Sequence, residues 1–153
     1  MPTVRLQISA TPAHVRTARL VATAVARRSG VADSALDEIR LAVGEACSRA
    51  VSLHEEFAPH EMITVLLEDE GKFVVTVRDL GPVGTESRHT DPLEGFADLP
   101  GPDQFLATYS DRMPTGFGLA VIGSLVDDVE IRAAGDGPGT LVRMTWPIGT
   151  ALT

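Results

Sequence analysis

Met62-Ile-Thr-Val-Leu-Leu67-Glu-Asp-Glu-Gly71-Lys-Phe73-Val-Val-Thr-Val-Arg-Asp79 is the stretch on which the architecture turns. Two β-rich runs, Met62 to Leu67 and Phe73 to Asp79, flank Glu68-Asp69-Glu70-Gly71, the composition of a hairpin turn, and predict two antiparallel strands. In the second run Phe73, Val75, Val77 and Asp79 share the two-residue strand period, which points the Asp79 carboxylate to the side of the apolar core. A carboxylate so placed requires a donor. An adenine amino group would serve, and Gly81 would let the backbone approach a flat ring closely. A strand-ending Asp in an Asp-Leu-Gly-Pro turn accounts for the same residues without a ligand.

Toward the N-terminus, Ser34 followed three residues later by Asp37 has capping-box spacing, and it precedes the periodic run Ile39, Val43, Ala46, Ala50 and Leu53. At about 100° per residue, Glu38, Ala42, Glu45, Arg49 and Ser52 gather on a different side, a polar stripe beside the core stripe. Glu45 on that stripe could position water, a hydroxyl or a metal near a γ-phosphate, while an i,i+4 ion pair with Arg49 on a solvated face is the simpler account of the residue taken alone. Before it, Thr3 to Ile8 reads as a first strand. Thr11-Pro12 then opens an amphipathic helix that runs to about Gly30 on Val15, Ala18, Ala22, Val25 and Ala26.

Toward the C-terminus, prolines 82, 92, 100, 102 and 114 and glycines 81, 84, 95 and 101 break the pattern from Leu80 to Thr115. A loop of that length usually has a job. Gly116-Phe-Gly118-Leu119 then opens a short helix through Val121, Ile122 and Leu125, where free amides and the positive helix end could receive phosphates, or simply enter the helix flexibly. Val129 to Ile131 and Leu141 to Trp146 read as strands around a glycine-rich turn. Thr140, in phase with Val142, Met144 and Trp146, turns its hydroxyl to the side that Asp79 faces, although Gly-Thr after a turn is ordinary. About five strands and three helices in this order predict a two-layer α/β sandwich, with helices on one face of a mixed, mostly antiparallel sheet.

With 153 residues, 44% of them hydrophobic, and a mean hydropathy of +0.11, the chain suits one domain over 1–153. A net charge of −8 and a pI near 4.9 argue against direct binding to nucleic acid or anionic lipid. A single cysteine, Cys47, reads as a small core residue, and the histidines show no metal-ligand spacing. Charged residues interrupt every apolar run short of the roughly 18 residues of a membrane helix, and no signal segment is read, so a cytoplasmic setting is expected.

Taken in order, these segments resemble the ATP-binding Bergerat (GHKL) fold of gyrase, heat-shock chaperones, histidine kinases and MutL. Within it they are most similar to anti-sigma serine kinases of the RsbW/SpoIIAB type. Glu38-Ile-Arg-Leu-Ala-Val-Gly-Glu45-Ala-Cys-Ser-Arg49-Ala-Val51 resembles the N-box helix of that family, and Val77-Arg-Asp79-Leu-Gly81-Pro82 resembles its next motif. Thr115-Gly116-Phe-Gly118-Leu119-Ala-Val-Ile122 looks like the second glycine motif and Gly139-Thr140-Leu-Val142 the final one.

The resemblance implies an ATP or ADP ligand, with Asp79, Gly81 and Thr140 around the adenine and Gly116, Gly118 and Leu119 at the phosphates. Residues 80–115 would be the ATP lid, and Glu45 the base that phosphorylates a serine of a STAS-domain anti-anti-sigma factor. It further implies sequestration of an alternative sigma factor, release by partner switching, a role in transcription regulation and stress response, and a possible homodimer through the first strand. Arg49 departs from the pattern, since the family places there an asparagine whose amide oxygen coordinates magnesium. Arginine has no acceptor, but its guanidinium could pair with phosphate oxygens instead. Leu53 occupies the position of the family's next histidine, and His54 is given no role. Three functions follow: a sigma-binding switch, an active serine/threonine kinase, or an interaction module without nucleotide in which Arg49 pairs with Glu45.

Overall fold

The computed structural model of the protein describes residues 3–81, 122–123, 126, 128–135 and 139–148. Strand β1 (Thr3–Ile8) is followed by helices α1 (Pro12–Ser29) and α2 (Asp33–Phe57), the hairpin β2 (Ile63–Asp69) and β3 (Lys72–Arg78), and then β4 (Asp128–Ala133) and β5 (Thr140–Pro147). They form a five-stranded sheet in the order β1-β2-β3-β5-β4.

The expected sheet was mixed and mostly antiparallel, with about five strands; the five described strands all pair antiparallel. The cause lies in β5, which inserts between β3 and the edge strand β4 and runs against both. Two helices are described where three were expected. The third falls largely outside the described residues, of which Ile122 and Gly123 are helical and Val126 N–H returns to Ile122 O at 2.9 Å.

Helix α1 starts at Pro12, whose missing N–H would lack an intrahelical partner in any case. It stops at Gly30, which adopts a left-handed φ of 97° while Val31 N–H reaches back to Ala26 O at 3.1 Å. Arg27 and Arg28 in the last turn complement the negative end of the helix. For α2 the capping-box expectation fails. The helix begins at Asp33, two residues earlier than a cap at Ser34 would give, Ala32 precedes it without a side-chain cap, and Asp37 bonds Arg40 at the surface instead.

Cross-strand rows build the inner face of the sheet: Val65, Val77 and Val142; Leu67, Val75 and Met144; Phe73 and Trp146. All are buried together with Ile39, Val43, Ala46, Cys47 and Ala50 of α2 and with Ala18, Ala22 and Ala26 of α1. Each large apolar side chain removed from water this way contributes about 1.5–3 kcal/mol, and the alanines allow α1 to lie close on α2. Between residues 41 and 51 only Ser48 is not buried, so α2 is enclosed around its whole circumference there. Glu45 and Arg49 of the polar stripe, for which a solvated face was one of two readings, are inside the protein, while Glu38 and Ser52 are partly exposed. No described helix is long and apolar enough to cross a membrane.

Candidate functional site

Helix α2 spans the inner face of the sheet. Near its start Glu38 Oε1 accepts the Trp146 indole N–H at 3.0 Å, and Trp146 packs against Phe73 at the beginning of β3. Near its end Arg49 reaches Asp79, the residue after β3. Arg49, Asp79 and Thr140, singled out in the sequence, therefore meet at one end of the helix–sheet interface, where β3 leaves the sheet and β5 enters it.

Asp79 is 1% exposed, as its strand phase predicts. Its backbone N–H bonds Thr140 O at 3.2 Å, which ties the end of β3 to the start of β5. Its Oδ1 accepts the Gly81 N–H at 3.0 Å and its Oδ2 accepts Arg49 Nη1 at 3.0 Å. Gly139 makes the close approach possible. It has a left-handed φ of 116°, and a Cβ there would stand 2.0 Å from Asp79 O, a collision of backbone with side chain that no rotamer relieves. At Gly81 a Cβ would meet Leu53 Cβ at 3.2 Å and Asp79 Oδ1 at 3.4 Å, so that glycine accommodates the protein's own side chains.

Arg49 and Glu45 do not form an exposed pair. Arg49 is 6% exposed, and the carboxylate it salt-bridges is that of Asp79, thirty residues on. Burial pulls the Arg49 guanidinium below its ordinary value, and the charge and hydrogen bond of Asp79 pull it back. Glu45 is 5% exposed, and burial pushes its carboxyl up to about 8 against the opposing pull of Arg19 from α1. Arg19 reaches that region across Gly44, where an added Cβ would come within 2.8 Å of Arg19 Cδ. At neutral pH Glu45 accordingly holds its proton. Cys47 is fully buried with its thiol pushed up to about 12, which agrees with a core role.

Thr140 is buried in phase with Val142, Met144 and Trp146. Gly116, Gly118, Leu119 and the loop 80–115 beyond Gly81 lie outside the described residues. His54, given no role from sequence, is fully buried at this end of α2. Its Nδ1 lies 2.9 Å from Glu61 O, and its Nε2 accepts the Leu80 N–H at 2.8 Å. A carbonyl only accepts, so Nδ1 carries the proton and the ring is neutral, clamping the residue next to Asp79. Its helical phase, shared with Val43 and Cys47, was the available signal: a histidine on a core stripe needs two internal partners.

A cavity of about 320 Å³ lined by Gln7, His60, Glu61, Met62, Thr64, Arg78 and Leu80 lies elsewhere. Gln7, Thr64 and Arg78 are cross-strand neighbours, out of phase with the inner-face rows, which puts the cavity on the opposite face of the sheet from Asp79. Among the described residues no group of three or more His, Cys, Asp or Glu side chains stands together to hold a metal ion.

A family model for the histidine kinase-like ATPase domain matches residues 8–146. The chain is 25% identical over 144 residues to a serine-protein kinase RsbW of Halalkalibacterium halodurans, covering 94% of this chain and 82% of that one. It is 27% identical over 145 residues to its namesake in Bacillus pumilus, covering 93% and 83%. Among solved structures, the RsbU and RsbW domains of a Mycobacterium tuberculosis protein superpose with a TM-score of 0.60 at 17% identity, over 100% of this chain and 35% of that longer one. The SiaB-SiaC complex of Pseudomonas aeruginosa gives 0.59 at 14% identity over 93% and 89%. These two establish likeness of fold. The RsbW-type resemblance read from the helix and glycine motifs agrees with the family match, and the chain belongs to the histidine kinase-like ATPase domain family.

Proposed function

We propose that this protein is an anti-sigma factor that sequesters an alternative sigma factor, binds adenine nucleotide, and releases its partner to a STAS-domain anti-anti-sigma factor. The observation that carries the reading is the convergence of Asp79, Gly81, Thr140 and Arg49 at one end of the helix–sheet interface. Asp79 offers the carboxylate for an adenine amino group, and Gly81 and Thr140 flank it. Gly116, Gly118 and Leu119 are assigned to the phosphates on sequence alone. The fold, the RsbW relatives and the acidic composition support a cytoplasmic protein-binding switch in preference to a metabolic enzyme.

Among the described residues, the position at which the resemblance places a magnesium ligand holds Arg49. Arg49 has only donors where a coordinating oxygen is needed, so any magnesium would arrive with the nucleotide's own phosphates. Sequestration requires an interface and no turnover, and it tolerates this loss.

The second reading, a serine/threonine kinase acting on the STAS partner, rests on Glu45 as base. A base must be ionised to accept a proton, and burial holds Glu45 protonated at neutral pH. Phosphoryl transfer through it would therefore rise with pH toward about 8.

The test reconstitutes sigma-dependent transcription with each alternative sigma factor and STAS protein of the same genome. We expect the chain to silence one sigma factor and that STAS protein to restore it, with the complexes visible by gel filtration. Transfer of γ-phosphate to a STAS protein, with no sigma factor bound, would establish the kinase reading instead. Absence of both would overturn the assignment.

A further inference from the structure

The ion pair between Arg49 and Asp79 sits where the resemblance would place ligand recognition, and both of its side chains are almost entirely buried, 7% and 2% exposed. Each Asp79 oxygen is already engaged, Oδ1 by the Gly81 N–H and Oδ2 by the Arg49 guanidinium. A ligand amino group that donates to Asp79 has either to displace the guanidinium or to share an oxygen whose charge the guanidinium neutralises. Sharing is the weaker bond and brings two donor groups together in a site closed to water. Displacement breaks a buried pair and leaves a cation to be rehoused.

We propose that Arg49 is a built-in competitor for the base-recognition carboxylate: its guanidinium takes the Asp79 oxygen that an adenine amino group requires, and nucleotide binds only by moving it aside. The inference rests on the nucleotide reading of Asp79 and deepens it. An asparagine at position 49 would be shorter and neutral, leaving the carboxylate without its cation and open to a ligand's donor. Arginine therefore does two things with one substitution. It removes an oxygen acceptor from the helix, and it supplies from within the fold the donor that a ligand would otherwise bring. The desolvated guanidinium in turn depends on Asp79 to remain charged in the interior. The ligand-free protein is thus stabilised by an internal contact of the same kind as the ligand's, and its folded state is held without nucleotide.

The experiment titrates ADP and, separately, adenosine into the wild type and the Arg49→Asn and Arg49→Lys variants without magnesium, and records the melting temperature of each alone and with ADP. Adenosine isolates the base contact from any phosphate contact. We expect Arg49→Asn to melt below the wild type when free, to bind both probes at least tenfold more tightly, and to gain more in melting temperature from ADP. Arg49→Lys, which keeps a cation near Asp79, should bind within threefold of the wild type. Should Arg49→Asn fail to fold, the wild-type side-chain Nε–H signal of Arg49 in a ¹⁵N spectrum gives the answer, since saturating ADP must shift it if the guanidinium is displaced. Equal binding by folded wild type and Arg49→Asn, or an Arg49 signal unmoved by bound ADP, overturns the competition and leaves nucleotide binding intact. No binding of either probe by any folded variant overturns the nucleotide reading, and the competition with it.

Discussion

The two ends of the α2–sheet interface are held by different physics. At the Trp146 end a neutral indole N–H bonds the half-buried Glu38 carboxylate beside an aromatic contact with Phe73. At the Asp79 end a buried cation meets a buried carboxylate, and a neutral histidine clamps the neighbouring backbone. The first is packing with one polar bond near water. The second is a set of mutually dependent polar groups with almost no solvent to take over when one is lost. Such a cluster is costly to hold together with apolar alternatives available, and it stands where the function proposed above puts the adenine.

Replacing a carboxylate by its amide at each end separates the two cases. Asp79→Asn keeps the shape but leaves Arg49 charged in the interior, and should cost about 3–5 kcal/mol of unfolding free energy in urea. Adding Arg49→Met to it removes the buried charge and should recover most of the loss. A double variant no better than the single one would break the comparison.

His54→Ala comes next. It removes partners from both the Leu80 N–H and the Glu61 carbonyl, an expected loss of about 2–3 kcal/mol. His54→Gln can restore one bond and should lie in between, by the same denaturation measurement.

Glu45 supplies a test in pH. Its carboxyl lies at about 8 in the folded protein against an ordinary 4.5. Between those values the native state keeps a proton that the unfolded state has released, so the group's favourable contribution is complete below the lower value and is lost as pH rises through the upper one. Glu45→Gln should flatten the fall in stability between pH 5 and 8 by on the order of 2 kcal/mol, read from unfolding curves at several pH values. An unchanged slope would mean that Glu45 is ionised in the native protein.

The smallest effect belongs to the other end. Glu38→Gln retains an amide oxygen for the Trp146 indole in a half-buried position and should cost less than about 1 kcal/mol. A loss comparable with that of Asp79→Asn would erase the contrast between the two ends.

Much of the layout was legible in the chain. The first strand has the limits expected of it, Thr3 to Ile8, and the hairpin closes on Gly71 at a left-handed φ of 78°. The inward phase of Asp79 and Thr140 follows from alternation alone, and both are buried. What alternation could not reveal is that all the described strands pair antiparallel, because the insertion of β5 beside β3 depends on how distant strands pair. The capping pattern at Ser34 does not form because it competes with other partners, and Asp37 bonds Arg40.

The polar stripe of α2 marks the boundary between the two kinds of information. Helical geometry by itself placed Glu45 and Arg49 one turn apart and Asp79 at the end of a strand facing inward, because 3.6-residue and two-residue periods are local properties of the backbone. The sequence also carried the succession of motifs that identifies the family. Only the tertiary structure decided that Glu45 and Arg49 are enclosed and that Arg49 salt-bridges Asp79, thirty residues away, in the interior. The physical reason is reach and desolvation. A long side chain can meet several carboxylates within its radius, and which one holds it depends on where the end of β3 comes to rest against α2 and how much water remains between them.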